Sequence, residues 1–490
     1  MSDQRLEAGG ERGPSSEDAP AAEPVTDPAA EPVAEAVYRP WLRKLNARGF
    51  RLVMLADLVG LYSVMLLAMF YRFGTTWPSY PTTLYLISFA FIATIFVTTL
   101  YFGGLYEREP RLGAPPVLPR AARQTLAAGG LVALLTMGLT GLAREIGLTT
   151  ERALPLPFLN LGALIIFGAC VVAVNRQLVQ WARTKREGPP RVALIGRATS
   201  LELARSHLEA AKSGARIVAE VEDADEVLEA VSSSGATDVL VLDGDRLEEL
   251  YPAPLEELER RGLTLLLRVT AQETMYGLQR VRQVGGMPFV VLRAQTMPRS
   301  RERFKRLFDL ALLILALPAW AGLLGLVALY QLIAVRPPLM YRQVRVGQYG
   351  KPFRILKFRT MVVDAEEDGR GARLADVGDP RVIPACRWIR ATRMDELPQL
   401  INVVRGEMSL VGPRPERPEL AAAFEKEIPG YARRYELRPG LTGLAQIHGR
   451  YHTDAEYKLG YDLQYLVNWS PVLDLEILVR TVWVVLTRKI

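Results

Sequence analysis

The sequence predicts a membrane protein with three parts: a four-helix transmembrane bundle, a small α/β domain, and a C-terminal α/β-containing domain with a re-entrant membrane helix. Three observations support this fold class. Four apolar runs of membrane length come first, strands and helices alternate between residues 191 and 298, and Pro318 interrupts a fifth apolar run. The predicted boundaries of an acidic tail and the three parts are 1–38, 39–185, 186–298 and 299–490.

The chain of 490 residues has a net charge of +7, although its start is acidic. The early stretch GGERGPSSEDAPAAEPVTDPAAEPVAEA lacks aromatic residues. It cannot bury enough apolar surface to offset its chain entropy, so we expect it to be disordered. The strongly basic remainder favours phosphorylated substrates or an anionic membrane face as partners, and no nucleic acid is expected. The two cysteines are too few for a disulfide framework and are compatible with a reducing compartment.

Four apolar runs are each long enough to be a transmembrane helix. Crossing a hydrocarbon layer of about 30 Å takes about 20 helical residues. Asp57 and Asn160 are read as the polar exceptions, both near a run end. The runs are Leu52–Tyr71, Leu84–Leu105, Thr125–Leu142 and Phe158–Val179.

The basic residues that flank these runs predict their orientation. They are concentrated before the first run, between the second and third runs, and after the fourth run. Because basic loops stay on the cytoplasmic side, the N-terminus and everything after Val179 are expected in the cytoplasm. Buried core helices of a soluble protein would not show this alternation of charge.

The fifth apolar run, Phe308 to Val335, differs because Pro318 interrupts it and both flanks are basic. A proline bends a helix, and the residues from Phe308 to Leu317 extend only about 15 Å. Positive charge at both ends indicates that both ends stay inside. We therefore predict a re-entrant helix at about residues 304–335, with a kinked fifth span as the alternative.

The middle part alternates strand and helix patterns. RVALIG and DVLVLDG are typical of buried strands, and SLELARSHLEAAKSG of a helix, which predicts a small parallel, Rossmann-like α/β unit. A dinucleotide site would need more glycines than the lone Gly196 after the first strand. A structural, oligomerising or regulatory role is favoured. Such a role is compatible with a homodimer.

The stretch RMDELPQLINVV places Asp395 and Glu396 directly before a helical pattern. Because proline is tolerated in the first turn of a helix, Pro398 predicts a helix start near Asp395. The pattern then predicts one buried face, and the residues of that face are Leu397, Leu400, Ile401 and Val404. Asp395 could be only the N-cap of that helix, a role worth about 1 kcal/mol.

Basic residues in neighbouring motifs favour a chemical role for the acid pair. Cations that hold a diphosphate, carboxylates that hold a divalent metal, and one carboxylate placed to attack would together perform phosphoryl transfer. The motifs RILKFRTM, WIRATRM, LVGPRPERPE, LRPGLTG and YDLQYL supply these candidates: Lys357, Arg359, Arg390, Arg393, Arg414, Pro415, Arg417, Arg438 and Asp462.

Four stretches occur in order at sensible spacing: YRQVRVGQYGKPFRILKFRTM, RMDELPQLINVVRGEMSLVGPRPE, LRPGLTGLAQIHGR and YDLQYL. Together they resemble the bacterial polyprenyl-phosphate sugar-1-phosphate transferases. These are the initiating enzymes of membrane-bound glycan assembly, in the monotopic phosphoglycosyl transferase superfamily. The resemblance runs from about Arg303 to the C-terminus. The four spans and the nucleotide-binding-like domain are similar to the long-form members, the undecaprenyl-phosphate glycosylphosphotransferases of exopolysaccharide, O-antigen or capsule synthesis.

The resemblance implies transfer of a sugar-1-phosphate from a UDP-sugar to undecaprenyl phosphate at the cytoplasmic face of the bacterial inner membrane. It implies that Asp395 is the nucleophile, that UMP leaves, and that a phosphosugar-aspartyl intermediate forms. Glu396, with Asp395, would position Mg²⁺. Pro318 matches the helix break of the family. The residues matched to phosphate-holding motif positions are Lys357, Arg390 and Arg414, and Asp462 is a further candidate. The sugar cannot be read from the sequence.

Two other functions fit parts of the sequence. Membrane-anchored nucleotide-sugar dehydratases share four spans and a nucleotide-binding-like domain, but they need a glycine-rich loop and a Tyr-x-x-x-Lys pair, neither of which follows Pro298. A catalytically dead scaffold is the second alternative. The intact acid pair and its basic neighbours argue against a scaffold.

Overall fold

The computed structural model describes residues 42–77, 80–107, 112–114, 116–145, 157–211, 214–270, 273, 281–292, 297–362, 379–448 and 454–487. The tail predicted at residues 1–38 lies outside this set. Among the described residues, five helices are long and apolar enough to cross a membrane. The chain is therefore a membrane-associated protein.

Four long helices form the N-terminal part. They are α1 Leu42–Phe73, α2 Thr82–Phe102, α3 Val117–Glu145 and α4 Phe158–Glu187. Their shared core contains large side chains with no exposed surface, such as Phe89 and Phe96. Packing is close, because a β-carbon at Gly168 would lie 2.8 Å from a methyl carbon of Leu61. Other apolar side chains face outward, and Ile166 is 64% exposed, as expected of a lipid-facing surface.

A polar cluster lies inside this helical core. Asp57 has no exposed surface, and its carboxylate accepts hydrogen bonds from Arg176 at 2.7 Å and from Asn175 at 2.8 Å. Both donors belong to the fourth apolar run, so the prediction that only Asp57 and Asn160 are polar exceptions was wrong. The buried charges of Asp57 and Arg176 are tolerated because they neutralise each other.

A six-stranded sheet with flanking helices follows. Its elements are β1 Arg191–Ile195, α5 Ala198–Ala210, β2 Arg216–Val221, α6 Val227–Ser234, β3 Asp238–Val241, α7 Arg246–Leu250, α8 Ala253–Arg260, β4 Thr264–Arg268, β5 Arg282–Val284 and β6 Met287–Leu292. The strand order is β2-β1-β3-β4-β6-β5. The first four strands are parallel, but β6 is antiparallel to β4 and β5. The predicted unit was parallel, which is wrong for β5 and β6.

The antiparallel pair results from a tight turn between β5 and β6. Gly285 and Gly286 have φ values of 60° and 79°. Two glycines with positive φ between two strands are typical of a two-residue hairpin, which forces the strands to run antiparallel. The sequence VGGM already contains this signal.

The fifth apolar run forms two helices, α9 Arg299–Leu315 and α10 Leu317–Ala334. They meet at Ala316, and Pro318 lies in the first turn of α10, where its missing N–H costs little. Apolar side chains around and after the break are exposed, including Leu315 at 80% and Ile333 at 75%.

Both helices of this pair contact the domain that follows them. From α9, the carboxylate of Asp309 accepts a hydrogen bond from Ser409 at 2.7 Å. From α10, the hydroxyl of Tyr330 donates to the carbonyl of Ala385 at 2.9 Å. Both α9 and α10 therefore lie against the C-terminal domain.

The C-terminal domain combines short strands and helices. Its elements are β7 Met340–Val346, β8 Pro352–Phe358, α11 Arg387–Ala391, α12 Gln399–Arg405, β9 Ser409–Val411, α13 Pro418–Glu427, β10 Gly440–Thr442, α14 Leu444–His448, α15 Ala455–Asn468 and α16 Pro471–Thr487. The strands β7 and β8 form an antiparallel hairpin, and β9 and β10 pair in parallel. Lys357 on β8 and Arg414 in the loop after β9 contribute to the site described below.

A buried charge cluster joins α9 to α16. Lys305 is only 5% exposed, and its ammonium lies 2.9 Å from Asp474 and 3.6 Å from Asp309. The hydroxyl of Tyr465 and the indole N–H of Trp469 also donate to Asp474, at 2.7 and 3.0 Å. Lys305 is therefore bound within the protein, although the sequence placed it in a basic flank of the fifth apolar run.

The three parts of the chain touch one another. The rings of Phe102 on α2 and Phe304 on α9 have centroids 5.4 Å apart. Arg303 donates to the hydroxyl of Tyr101 at 3.0 Å. Leu112, after α2, is buried in the core of the six-stranded sheet. The N-terminal part thus contacts both the sheet domain and the helix pair.

Candidate active site

The acid pair lies on a single 3₁₀ turn, Met394–Glu396, between α11 and α12. Arg393 precedes this turn in the left-handed conformation, with a φ of 54°. The N-cap of α12 is Pro398, so the helix begins at Gln399 and the prediction of a helix start near Asp395 was wrong. Asp395 does not cap α12, so the interpretation of Asp395 as the N-cap of this helix was wrong.

The buried face of α12 also differs from the prediction. Leu400 and Val403 are 7% and 0% exposed, whereas Val404 is 50% exposed. Asn402 is fully buried, and its amide group is satisfied there because it accepts from Leu356 N at 3.0 Å and donates to the carbonyl of Arg354 at 2.9 Å. This polar anchor turns α12 toward β8, which an apolar pattern alone does not predict.

Glu396 binds two basic side chains through one oxygen. Its Oε1 accepts from Lys357 Nζ at 3.0 Å and from Arg414 at 3.1 Å. Lys357 belongs to β8, opposite Tyr341 on β7, and Arg414 lies in the loop after β9. Three separate segments of the chain therefore meet at this carboxylate.

The two neighbouring carboxylates are in different electrostatic environments. Burial, and next the charge of Glu396, raises the pKa of Asp395 to about 6, while Lys357 and Arg390 oppose the rise. For Glu396, burial is outweighed by Arg414 and Lys357, which hold its pKa far below the ordinary value. Glu396 is thus held as an anion, and Asp395 is the more basic carboxylate of the two.

The loop that carries Arg414 is held by backbone contacts on several sides. Val346 N donates to the carbonyl of Glu416 at 2.9 Å, and Gly412 N donates to the carbonyl of Thr442 at 2.8 Å. A β-carbon at Gly412 would lie 2.5 Å from a carbonyl oxygen. Only glycine permits this approach of the two chain segments.

Arg345 is a site residue that the sequence analysis did not propose. Its guanidinium donates to the carbonyl of Pro415 at 3.1 Å. Burial, and next the charge of Arg414, lowers its pKa. In the β7–β8 register Arg345 pairs with Phe353 and lies on the same face as Lys357. Pairing the two strands about their connecting turn would have identified it.

Two other predicted site residues, Arg359 and Arg438, contact the helix pair or the residues next to it. Arg359 donates to the carbonyls of Val335 and Arg336, at 3.3 and 2.8 Å, where α10 ends. Arg438 forms an ion pair with Glu302 at 3.3 Å. The structure therefore brings Lys357 and Arg414 to Glu396, and it connects Arg359 and Arg438 to the helix pair.

Asp462 is buried and is connected to the Arg414 loop through the side chain of Arg434. Its carboxylate lies 2.9 Å from the guanidinium of Arg434, and the same Arg434 nitrogen donates to the carbonyl of Arg414 at 3.0 Å. Asp462 is only 2% exposed. Its described contacts fit the support of a neighbouring loop.

The acid pair could hold Mg²⁺ only together with a substrate. Among the described residues, no group of three or more His, Cys, Asp or Glu side chains could form a metal site. Mg²⁺ in phosphate-transfer sites is usually bound by one or two carboxylates and by substrate phosphates. Asp395 and Glu396 fit that donor set, and a cation between them would offset the repulsion that raises the pKa of Asp395.

Comparison with known proteins places the C-terminal domain among characterised enzymes. Residues 300–488 match the family model described as bacterial sugar transferase. The chain is 44% identical over 188 residues to the UDP-glucose:undecaprenyl-phosphate glucose-1-phosphate transferase of Caulobacter vibrioides. This match covers 37% of this chain and 70% of that relative.

Two further relatives have longer chains. A UDP-N-acetylgalactosamine-undecaprenyl-phosphate N-acetylgalactosaminephosphotransferase of Aeromonas hydrophila is 39% identical over 37% of this chain and 44% of its own. A UDP-glucose:undecaprenyl-phosphate glucose-1-phosphate transferase of Klebsiella pneumoniae is 38% identical over 42% of this chain and 44% of its own. The matches to these two relatives span less than half of each relative.

Proposed function

The chain belongs to the bacterial sugar transferase family, and we propose that it transfers a sugar-1-phosphate from a UDP-sugar to undecaprenyl phosphate. The products are undecaprenyl-diphosphate-sugar and UMP, and the reaction is the first membrane step of exopolysaccharide, O-antigen or capsule synthesis. The relatives support this reaction, because their names combine a UDP-sugar with undecaprenyl phosphate. Since those names include two different sugars, the sugar is left to experiment.

The observation that carries the proposal is the carboxylate of Glu396, which two cations hold beside Asp395. Lys357 and Arg414 approach one oxygen of Glu396 at 3.0 and 3.1 Å. This arrangement directs both ion pairs to Glu396 and fixes positive charge next to Asp395. Asp395 takes no part in these two ion pairs, and positive charge lies beside it. This environment suits attack of the Asp395 carboxylate on a diphosphate.

Asp395 is the proposed nucleophile. One of its oxygens attacks the β-phosphorus of the UDP-sugar and forms an O–P bond, while the bond to the bridging oxygen breaks and UMP leaves with the electron pair. A phosphate oxygen of undecaprenyl phosphate then attacks the same phosphorus, and the carboxylate is released unchanged. A pKa of about 6 leaves Asp395 mostly ionised at neutral pH, as a nucleophile must be.

The basic residues hold the phosphates in this proposal. Lys357 and Arg414 would exchange part of their contact with Glu396 for the substrate diphosphate, and Arg390 would stabilise charge on the Asp395 side. Arg345 adds charge and fixes the loop through Pro415. Asp395 and Glu396 would hold Mg²⁺ together with the diphosphate, and the ion would supply charge neutralisation for the departing UMP.

The helix pair is proposed to enter the membrane and return, so that the active site lies in the cytoplasm at the inner membrane. Both α9 and α10 contact the same domain, through Asp309 and Tyr330. Exposed apolar side chains such as Leu315 and Ile333 suit a lipid environment. A re-entrant pair keeps the site on the side where UDP-sugars are made.

The sheet domain is proposed to be a Rossmann-like unit without a working dinucleotide site. At the turn after β1, where a pyrophosphate would bind, the carboxylate of Asp243 accepts from Arg197 N at 2.8 Å and from the hydroxyl of Ser200 at 2.7 Å. An internal anion thus takes the donors that a phosphate would use. A structural or oligomerising role, including a homodimer, remains the proposal for this domain.

The test is release of UMP from a panel of UDP-sugars by the detergent-solubilised protein with Mg²⁺. Without lipid phosphate, we expect a near-stoichiometric burst with the accepted sugar. Adding undecaprenyl phosphate should convert the burst to turnover. Asp395→Asn, which keeps the size of the side chain, should lose both.

The alternative results discriminate between mechanisms. UMP that appears only when the lipid phosphate is present would indicate direct transfer and remove the covalent role of Asp395. A protein that releases no UMP with any sugar, with or without lipid, would contradict the proposed activity and favour a scaffold.

A further inference from the structure

The sheet domain contacts the C-terminal domain at Gly430. Tyr251 is the C-cap of α7, and its hydroxyl lies so close to Gly430 that a β-carbon at Gly430 would collide with it. Gly430 has a φ of 74°, in the left-handed region that favours glycine. Gly430 therefore satisfies two requirements at once, a backbone conformation and a contact with another domain.

Charge and ring contacts extend this junction. The guanidinium carbon of Arg433 lies 5.9 Å from the centre of the Tyr251 ring. Burial raises the pKa of Glu256 on α8, and the charge of Arg433 opposes that rise. The junction thus includes a cation above an aromatic ring.

Gly430 begins the buried 3₁₀ turn Tyr431–Glu436. Arg434, on this turn, is 5% exposed and contacts Asp462 and Tyr431. Its guanidinium also donates to the carbonyl of Arg414 at 3.0 Å. A rigid, buried side chain therefore connects the turn to the loop that carries Arg414.

We propose that the sheet domain, through the contact of Tyr251 with Gly430, holds the 3₁₀ turn so that Arg434 positions the Arg414 loop for the transfer reaction. This inference rests on the proposed function. It makes Arg434 and Tyr251 positioning residues, since both act through Arg414. It also gives the sheet domain a role in catalysis that does not require a bound nucleotide.

The steps of this connection are contiguous contacts. Tyr251 meets Gly430, the turn from Gly430 carries Arg434, and Arg434 reaches Arg414, whose guanidinium lies 3.1 Å from Glu396. Packed side chains and hydrogen bonds of this kind can transmit a displacement, and substitutions along them typically change function by about 2- to 30-fold. A loosened junction should therefore slow transfer without removing any phosphate-binding side chain.

The experiment is a double-mutant cycle across the two domains, with the variants Tyr251→Leu, Gly430→Ala and their combination. Each protein is assayed for the rate constant of the UMP burst, the burst amplitude, the KM for the UDP-sugar, and the unfolding temperature in detergent. Dividing the initial rate of UMP release in the burst by the burst amplitude gives a normalised burst rate that does not depend on the fraction of inactive protein. Arg205→Ala, which removes an exposed ion pair with Glu220 elsewhere on the sheet domain, is the control.

We expect Tyr251→Leu and Gly430→Ala each to lower the normalised burst rate by about 2- to 30-fold. The double variant should be less impaired than the product of the two effects, because the shorter side chain at position 251 no longer collides with the methyl group added at position 430. The control should keep the wild-type rate.

Two results would overturn the inference. If the two substitutions multiply, Gly430 matters only for its own backbone strain, and the contact with Tyr251 carries no coupling. If the unfolding temperature shows coupling while every normalised rate stays at the wild-type value, the junction only docks the domains. Absence of UMP from the wild-type protein would instead overturn the proposed function, and this inference with it.

Discussion

The ammonium group of Lys357 lies 3.0 Å from Oε1 of Glu396, the oxygen that Arg414 approaches at 3.1 Å. Two cations on one oxygen hold that carboxylate as an anion and leave hydrogen-bonding capacity for a phosphate. Lys357 comes from a strand and Arg414 from a loop, so the site depends on both elements. The first prediction concerns this lysine.

Replacing Lys357 with Met should reduce the UMP burst rate by about 100-fold or more, because a positioned cation is lost where negative charge develops. Lys357→Arg should restore part of the rate. Lys351→Met, an exposed position just before β8, is the matched control and should leave the rate unchanged. Equal rates for Lys357→Met and the wild type would remove this residue from the mechanism.

Removing divalent metal with EDTA should abolish UMP release, and added Mg²⁺ should restore it, because the departing UMP then lacks charge neutralisation. Glu396→Gln should raise the Mg²⁺ concentration for half-maximal rate by about 10-fold or more, since one proposed ligand loses its charge. The measurement is burst rate against free Mg²⁺. Full activity in EDTA would contradict the metal requirement.

Asn402→Ala should lower the free energy of unfolding by about 1–3 kcal/mol, because the backbone groups of Leu356 and Arg354 lose buried partners. The comparison is Val404→Ala on the exposed side of the same helix, expected within about 0.5 kcal/mol of the wild type. Denaturant unfolding in detergent measures both. If the two substitutions have the same effect, Asn402 is not the anchor of α12.

Arg176→Leu should destabilise the transmembrane helices more than the double substitution Asp57→Leu with Arg176→Leu. The single change leaves an unpaired carboxylate in the core, typically a cost of about 3–5 kcal/mol, whereas the double change removes both charges. Unfolding temperatures in detergent compare them. A double variant that is less stable than the single one would show that the ion pair itself is strongly favourable.

A cysteine at Ala319, next to Pro318, should not react with membrane-impermeant thiol reagents added from the periplasm, because a re-entrant pair does not reach that side. Thr75→Cys, between α1 and α2, is the positive control and should react. Both variants need Cys170 and Cys386 replaced by Ser. Labelling at residue 319 from outside would restore a full fifth span.

The apolar pattern of the sequence was sufficient to locate the long helices. It was less informative about polar residues in apolar surroundings. Asp57 and Arg176 are far apart in sequence, and only the packing of α1 against α4 shows that they neutralise each other. Lys305 likewise looked like part of a basic flank, and its burial depends on Asp474, at the other end of the domain.

The sequence likewise predicted only part of the arrangement of the candidate site. The basic motifs pointed to Lys357 and Arg414, which the structure brings to Glu396, while their roles stay predictions. Arg359 was a candidate from the same motif as Lys357, but β8 ends at Phe358, and Arg359 instead donates to carbonyls at the end of α10. Strand alternation holds only within a paired strand, so it could not follow a residue past the strand end.

The ion pair between Lys305 and Asp474 also constrains how the protein is made. Its partners are separated by 169 residues, so at a synthesis rate of about 5–20 residues per second Lys305 waits about 10–30 s for Asp474 to leave the ribosome. During that interval α9 carries Lys305 with Asp309 on the same helix but without Asp474. Arrival of α16 brings Asp474, and with it the hydrogen bonds from Tyr465 and Trp469, so the cluster is completed late in synthesis.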